Sequence, residues 1–386
     1  MDPLLFLASI AILMLTALLG IAISRKTKFP LPLLLFFAGI LLGKVVYYDR
    51  PLVQLPGPFL SVLSILIVMV LVFDSMSRIK FTHIDVISKD VLRFFIVQAV
   101  LLLVVFSSLM HYVFGYQWFS SVLFSVLVLC TEFSVLYARH ALPNSRTVQF
   151  VRDESLLSSA LVALLPFLIL SFTMLVSFPL RGNVVLKLLP FITSVFSGIG
   201  IGILLSLTLY NLLHISSVQK YAGLSLTSFV VIAYLLAQKI GGNGFVSVAT
   251  MGVIFAHVFF KQKHLIKMDV TKLDSVVELF LFTIAGLVVG LPLSLSFFKI
   301  SLGLFVVYVA LRLISVAASL RSYSFSEKLE LGLFVPKGPI TVAVAFALLN
   351  YEFLGVVSIV QYLMAFFVYS LLLDVILTRI GIYRNR

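Results

Sequence analysis

Residues 329–350 read LELGLFVPKGPITVAVAFALLN, a run long and apolar enough to cross a bilayer. Its middle is interrupted by Pro336-Lys337-Gly338-Pro339. Proline removes a backbone donor and clashes with the preceding turn, and glycine loosens the backbone further. A helix broken at membrane depth is tolerated only where it is buried in protein or lines a wet cavity. Because a lysine there adds roughly 2.5–3.5 kcal/mol of insertion cost, the break predicts a transport site near the bilayer midplane.

The composition of the whole chain is that of a membrane protein. Of 386 residues, 61% are hydrophobic and only 11% are charged, whereas charged residues are about 25% of a soluble domain. The single cysteine, Cys130, lies in an apolar run, so no intramolecular disulfide can form. No phosphate-binding glycine loop, zinc-binding thiolate set or nucleophile–base motif stands out. We therefore expect neither an enzyme nor a cofactor.

Repeated apolar runs of about 20 residues predict an all-α polytopic protein of about thirteen transmembrane helices, in contact with membrane lipid. Most of the 28 Lys and Arg residues follow odd-numbered spans, which predicts an outside N-terminus and a cytoplasmic C-terminus. The net charge of +13 then belongs to cytoplasmic loops and does not indicate a nucleic-acid partner. We expect a multi-pass protein of the cell (plasma) membrane. The predicted spans are 3–23, 29–47, 58–78, 91–114, 118–138, 155–178, 185–213, 221–239, 243–260, 274–296, 298–320, 329–350 and 356–379.

Thirteen spans suggest two six-span halves joined by a linking helix. Opposite insertion of the halves makes them an inverted repeat, an architecture of many secondary transporters. The fifth and twelfth spans then occupy corresponding places. Each carries an ionisable residue well inside the span, Glu132 in one and Lys337 in the other.

Glu132 interrupts an apolar run and is flanked by Thr131 and Ser134. Ionisable side chains inside membrane spans face the bundle interior and mark ion or proton pathways. One interpretation is a carboxylate that binds a dehydrated cation or a proton. The alternative is a helix-packing ion pair with Arg312 or Lys337.

Other charges carry similar alternatives. Glu154, at the entrance of the sixth span, either complements the helix N-terminus or forms a buried pair with Lys337. Asp74 is either an ion ligand or an interfacial acid beside Arg78. Arg312 is buried in a span and is expected to neutralise an acid there.

Several motifs follow one another along the chain: LPLLLFFAGILLG at 31–43, TE at 131–132, ESLLSS at 154–159, GGNGF at 241–245, Arg312, and Lys337-Gly338. Together they resemble the monovalent cation–proton antiporter family, particularly its sodium/proton exchanger branch, over nearly the whole chain.

The resemblance implies that the fifth and twelfth spans are broken helices that cross, and that the protein is a homodimer working as an elevator. A core of about 91–178 and 298–380 would slide against a scaffold of about 1–80 and 221–296. The helix at about 185–213 would link them. The whole chain is a single membrane transporter domain.

The resemblance also implies roles for individual residues. Glu154 would pair with Lys337 and stabilise the crossing, beside the buried Arg312 and the helix break at Pro336, Gly338 and Pro339. The implied ion- or proton-binding residues are Glu132, Thr131, Ser155, Ser159 and Asp74, the last from the scaffold side.

The departures from the family pattern bear on the chemistry. Ser158-Ser159 replaces Asn-Asp, Phe133 replaces a helix-breaking proline, and Glu132 replaces aspartate. A hydroxyl ligates a cation but cannot carry an exchangeable proton at neutral pH. Glu132 must then carry the proton and serve as the metal-ion ligand.

We therefore predict a secondary transporter that exchanges Na⁺ or K⁺ for protons. One alternative keeps the fold without proton coupling, as a transporter of another small solute or a channel-like protein. The other is a non-transporting membrane sensor or assembly protein.

Overall fold

The computed structural model describes residues 3–47, 50–79, 89–133, 145–176, 184–215, 221–258 and 277–380. Within them the chain is almost entirely helical. The helices are α1 (Pro3–Thr27), α2 (Leu31–Lys44), α3 (Gly57–Ser77), α4 (Lys89–Tyr112), α5 (Trp118–Val128), α6 (Arg146–Val176), α7 (Val184–Leu213), α8 (Ala222–Lys239), α9 (Gly244–Val258), α10 (Val277–Val289), α11 (Leu295–Ser319), α12 (Phe325–Leu333), α13 (Pro339–Leu348) and α14 (Val356–Ile380).

Two two-residue strands, Val46–Tyr47 and Arg50–Pro51, pair antiparallel between α2 and α3. Eight of the described helices are long and apolar enough to cross a membrane, and shorter apolar helices accompany them. The predicted all-α membrane fold is confirmed. The count of thirteen spans and the orientation of the termini stay predictions.

The chain forms two compact units. One comprises residues 1–64, 87–158 and 276–386, and the other comprises 65–86 and 159–275. In the first unit α4 packs on α11, and α13 packs on α14. A buried apolar cluster that includes Phe94, Phe150 and Phe334 draws α4, α6 and the residues after α12 together. Burial of such side chains against one another replaces contact with lipid by close protein packing.

The α2 and α10 helices of the first unit approach each other through glycines. A Cβ added to Gly39 would lie 2.0 Å from the carbonyl oxygen of Thr283, and one added to Gly286 would lie 2.1 Å from that of Phe36. Small residues allow this close approach of backbones in membranes. The family-like Ala-Gly pattern of the second span therefore has a packing function.

In the second unit α7, α8 and α9 pack together, and Asn243 organises the start of α9. Its side-chain oxygen accepts from the N–H groups of Phe245 and Val246 at 3.0 and 3.1 Å, which caps the helix. Its amide group donates to Ser171 at 2.7 Å. The Gly-Gly-Asn-Gly segment is thus a junction between α8 and α9, where the sequence predicted a split.

The twelfth predicted span is two helices. A capping box between Ser324 and Glu327 starts α12, and Pro339 occupies the first turn of α13. Residues 334–338 between the two helices are not helical. The break predicted from residues 336–339 is present in the structure.

Candidate functional site

Two interruptions of helical structure meet in the first unit. The α5 helix ends at Val128 and is followed by non-helical residues up to 133, where the described segment ends. The N–H of Glu132 donates to the carbonyl oxygen of Pro336 at 2.9 Å. This hydrogen bond joins the segment after α5 directly to the segment between α12 and α13.

The carboxylate of Glu132 lies at the N-terminus of α13. Its Oε1 accepts from the backbone N–H groups of Ile340 at 3.0 Å and Thr341 at 3.4 Å. First-turn N–H groups have no partner inside their own helix, and that end carries a partial positive charge. A Cβ added to Gly338 would lie 2.3 Å from Oε2, so glycine leaves room for the carboxylate. Glu132 itself is half-buried.

The ammonium group of Lys337 lies at the C-terminal end of α5. It donates to the carbonyl oxygens of Val128 and Cys130 and, at 2.9 Å, to the hydroxyl of Tyr308. The backbone N–H of Lys337 donates to Ser370 Oγ at 3.0 Å. The side chain is buried, so the cation satisfies carbonyl groups at the negative end of α5 that water does not reach.

A second buried cation, Arg312 on α11, binds Glu154 on α6. Its Nη1 and Nη2 donate to Oε1 and Oε2 of Glu154 at 2.6 and 2.8 Å. Its Nε donates to the carbonyl oxygen of Leu331, near the end of α12, at 3.1 Å. The hydroxyl of Thr131 also donates to Glu154, at 2.5 Å. The Glu154–Arg312 pair therefore connects α6 and α11 to the segment after α5, through Thr131, and to the end of α12, through Leu331.

The predicted pair of Glu154 with Lys337 was wrong. Within the described residues the carboxylate of Glu154 pairs with Arg312, and Lys337 binds carbonyl and hydroxyl oxygens. The planar guanidinium matches both carboxylate oxygens at once, whereas lysine is a compact point charge. The planar guanidinium of Arg312 therefore pairs with the carboxylate of Glu154, and the ammonium group of Lys337 binds the carbonyl oxygens of Val128 and Cys130.

Two serines of α6 satisfy the backbone of the segment after α5. Ser158 Oγ accepts from the N–H of Thr131 at 3.3 Å and donates to the carbonyl oxygen of the same residue at 2.9 Å. Ser155 Oγ accepts from the N–H of Phe133 at 3.0 Å. Buried backbone groups outside helices need such partners. The non-helical segment is thus stabilised without the proline that Phe133 replaces.

The remaining predicted ligands belong to the second unit. Asp74 on α3 pairs with Arg78 at 2.5 Å, one turn along the same helix. Ser159 on α6 is buried. Their contribution to ion binding stays a prediction. In the part of the chain that the structure describes, no three His, Cys, Asp or Glu side chains are grouped to hold a metal ion.

Sequence reasoning missed several polar partners at the crossing. Tyr308 precedes Arg312 by four residues and so shares its helix face, a spacing that was visible in the sequence. Ser370 and the carbonyl groups of Val128 and Cys130 carried no such signal. Their roles depend on which residues the fold brings together.

Residues 13–381 match the family model described as "Sodium/hydrogen exchanger, transmembrane". The chain belongs to this family, which confirms the resemblance noted in the sequence. It is therefore a multi-pass transporter of the cell membrane and not an enzyme. No curated protein sequence matches it.

Two solved structures have the same fold. One is the sodium proton antiporter MjNhaP1 from Methanocaldococcus jannaschii at pH 8, with 18% identity, 98% of each chain covered and a TM-score of 0.73. The other derives from an electron-microscopy map of MjNhaP1 from the same organism, with 19% identity, coverage of 99% of this chain and 98% of the other, and a TM-score of 0.68.

Proposed function

We propose that this protein exchanges a monovalent cation, Na⁺ or K⁺, for protons by elevator-like alternating access, with Glu132 as the carrier. Support comes first from membership of the sodium/hydrogen exchanger family. The observation that carries the proposal is the half-buried carboxylate of Glu132 at the junction of the two interrupted helices. A carboxylate is also a group that binds a proton and a cation in competition.

The neighbouring charges are committed to other partners. Glu154 accepts two hydrogen bonds from Arg312, and all of these groups are buried. Lys337 is equally buried on helix-end carbonyls. Removing either partner of a buried pair is costly, so we assign these charges to stabilising the structure of the crossing rather than to carrying the ion. Glu132 is the one of these four charged groups that is partly accessible.

Cation-dependent proton flux in proteoliposomes tests the proposal. In the unaltered protein, an imposed Na⁺ or K⁺ gradient should drive protons across the membrane in the direction opposite to the cation. Glu132→Gln should abolish this proton flux because an amide cannot release a proton. Glu352→Gln is the matched control, because Glu352 is an exposed acid. Undiminished exchange in Glu132→Gln would exclude Glu132 as carrier.

Elevator-like movement requires that the ion site open to the two sides of the membrane in turn. Phe133 neighbours Glu132 and is half-buried, and Cys130 is the only cysteine of the chain. In a Cys130→Ser background, Phe133→Cys should therefore react with an impermeant thiol reagent from one side at a time, according to the imposed cation gradient. Simultaneous reaction from both sides would indicate a channel-like protein.

The homodimer is proposed together with this movement, because a sliding core needs an anchored scaffold. The mass of the purified protein, corrected for detergent, should be about twice the 42.8 kDa of one chain. A mass of one chain at transport-competent concentrations would contradict the dimer.

Transport of a small solute without proton coupling is the second candidate. The observation that favours it is Ser158, whose hydroxyl bonds the backbone of Thr131 at a position where the family pattern has a polar amide. The neighbouring Ser159 removes the acid of that pattern. Solute uptake that does not change with pH would support this candidate over exchange.

A further inference from the structure

An aromatic contact joins α14 to the crossing of α2 and α10. The ring of Phe367 on α14 stacks on that of Phe282 on α10, with centroids 5.3 Å apart and an interplanar angle of 12°. The ring of Phe36 on α2 meets Phe367 edge to face, with centroids 5.6 Å apart. All three side chains are buried, with at most 1% exposed. Phe367 is therefore held from two sides, and we call the pair Phe36–Phe282 the aromatic seat.

The glycines of the α2–α10 crossing bring the two rings of the seat together. Gly39 lies one turn after Phe36, and a Cβ added to it would meet the carbonyl oxygen of Thr283. Gly286 lies one turn after Phe282, and a Cβ added to it would meet the carbonyl oxygen of Phe36 itself. The close approach of the two backbones thus fixes the position of each ring relative to the other.

The turn of α14 that carries Phe367 also contacts the break between α12 and α13. Ser370 lies three residues after Phe367, and its Oγ donates to the carbonyl oxygen of Phe367 at 2.9 Å. The same Oγ accepts from the backbone N–H of Lys337 at 3.0 Å. Because α14 is continuous from Val356 to Ile380, a displacement of the break together with α14 carries Phe367 with it.

The three rings belong to both parts of the proposed elevator. Phe36 and Phe282 lie in the proposed scaffold of about 1–80 and 221–296, and Phe367 lies in the proposed core of about 91–178 and 298–380. In the structure all three rings belong to the first compact unit. Sliding of the core along the scaffold would therefore have to take Phe367 out of the seat.

A hydrogen bond joins the same two parts after the end of α13. The side-chain amide of Asn350, in the proposed core, donates to Ser64 Oγ on α3 at 2.7 Å. Ser64 is buried and lies in the proposed scaffold, whereas Asn350 is exposed. This bond would also have to break when the core slides, but an exposed hydrogen bond contributes less than two buried aromatic pairs.

We infer that Phe36, Phe282 and Phe367 are positioning residues for the proposed exchange: the seat holds the core at one position on the scaffold, and Phe367 leaves it in every transport cycle. The inference rests on the proposed elevator-like movement. Two aromatic pairs stabilise one position of the core and not the other. Weakening them should therefore shift the equilibrium between the two positions.

The side from which Phe133→Cys reacts with an impermeant thiol reagent measures this equilibrium. We would use the full chain in the Cys130→Ser background, in uniformly oriented proteoliposomes without a cation gradient, and compare the labelling rates from the two sides. Phe367→Ala should change the ratio of these rates by roughly tenfold, because it destabilises only one position. Phe367→Leu and Asn350→Ala should change the ratio in the same direction and by less.

Phe106→Ala is the matched control. Phe106 on α4 is equally buried and also makes two aromatic contacts, with Phe124 and Phe366, both of which lie in the proposed core. Its truncation leaves a comparable cavity, so the unfolding temperature should fall. The ratio of labelling rates should stay unchanged, because these contacts move with the core.

A ratio that Phe367→Ala leaves unchanged, or that Phe106→Ala changes equally, would overturn the inference and leave the proposed exchange intact. Simultaneous reaction of Phe133→Cys from both sides in the Cys130→Ser background alone would instead contradict the proposed movement, and the seat with it. If Phe367→Ala does not fold, Phe36→Leu and Phe282→Leu decide the matter. Each removes one aromatic pair, and both should change the ratio in the same direction.

Discussion

Two helix crossings within the first unit bring backbones close together in different ways. Where α2 meets α10, both helices continue, and glycines let backbone approach backbone. Where α5 meets the break between α12 and α13, the helices stop, and side chains satisfy the exposed backbone ends. The first crossing needs no charge. The second contains an acid and a base at helix ends of opposite polarity, Glu132 and Lys337.

A helix that is broken inside a membrane needs partners for its exposed backbone ends. Helix ends leave N–H and C=O groups without partners, and lipid offers none. Protein groups must supply them, and the strongest are charged. A carboxylate that serves a helix end and remains half-buried is also a group that binds ions. The structural solution and the proposed transport site therefore use the same residue, Glu132.

The largest expected effect is at the buried pair of the charged crossing. Arg312→Met leaves the carboxylate of Glu154 buried without its guanidinium, and the expected loss of stability is about 3–5 kcal/mol. Thermal unfolding in detergent measures it. Arg78→Met is the control, since Arg78 is 57% exposed in its pair with Asp74 and should cost at most about 1 kcal/mol. Equal losses in the two variants would contradict the buried pair.

The glycine crossing should respond to a single methyl group. In Gly286→Ala the new Cβ meets the carbonyl oxygen of Phe36 at 2.1 Å, so the helices must separate, and stability should fall by about 3 kcal/mol. Gly303→Ala in α11 has open space around the added Cβ. It should be neutral or stabilising by up to about 1 kcal/mol. Similar unfolding temperatures for both variants would show that the α2–α10 contact is looser than described.

Removing the second buried cation should cost less than removing Arg312. Lys337→Met leaves the carbonyl groups of Val128 and Cys130 without a donor but leaves no carboxylate unpaired. The expected loss is about 1–2 kcal/mol by the same unfolding measurement. A loss as large as that of Arg312→Met would mean that Lys337 also neutralises an acid.

The smallest expected effect is at Thr131. Thr131→Val removes one hydrogen bond to Glu154, which keeps both bonds from Arg312, and should cost about 1 kcal/mol. Thr131→Ser should restore the stability of the unaltered protein. If Thr131→Ser does not restore the stability lost in Thr131→Val, that loss comes from side-chain packing rather than from the hydrogen bond of the hydroxyl.

The sequence could predict the break in the twelfth span, because proline and glycine act on the local backbone. It could also identify Glu132, since an acid inside an apolar run is conspicuous. The pairing of Glu154 was predicted incorrectly. Both Arg312 and Lys337 are cations well inside predicted membrane spans, and only the fold determines which one reaches the carboxylate of Glu154.

The non-helical residues after α5 were less accessible to sequence reasoning. Phe133 stands where the family pattern has a helix-breaking proline, so local propensity gives no stop signal. The hydrogen bonds that stabilise the segment come from Ser155 and Ser158, more than twenty positions along the chain. Such a partnership becomes visible only in three dimensions.

Under the proposed exchange, the carboxylate of Glu132 binds either a proton or a cation. Proton release from the purified protein on addition of Na⁺ or K⁺, followed in weakly buffered detergent solution, measures this competition. The unaltered protein and Glu352→Gln should release protons on cation binding, and Glu132→Gln should release none. Proton release of normal size from Glu132→Gln would show that a group other than Glu132 exchanges its proton for the cation.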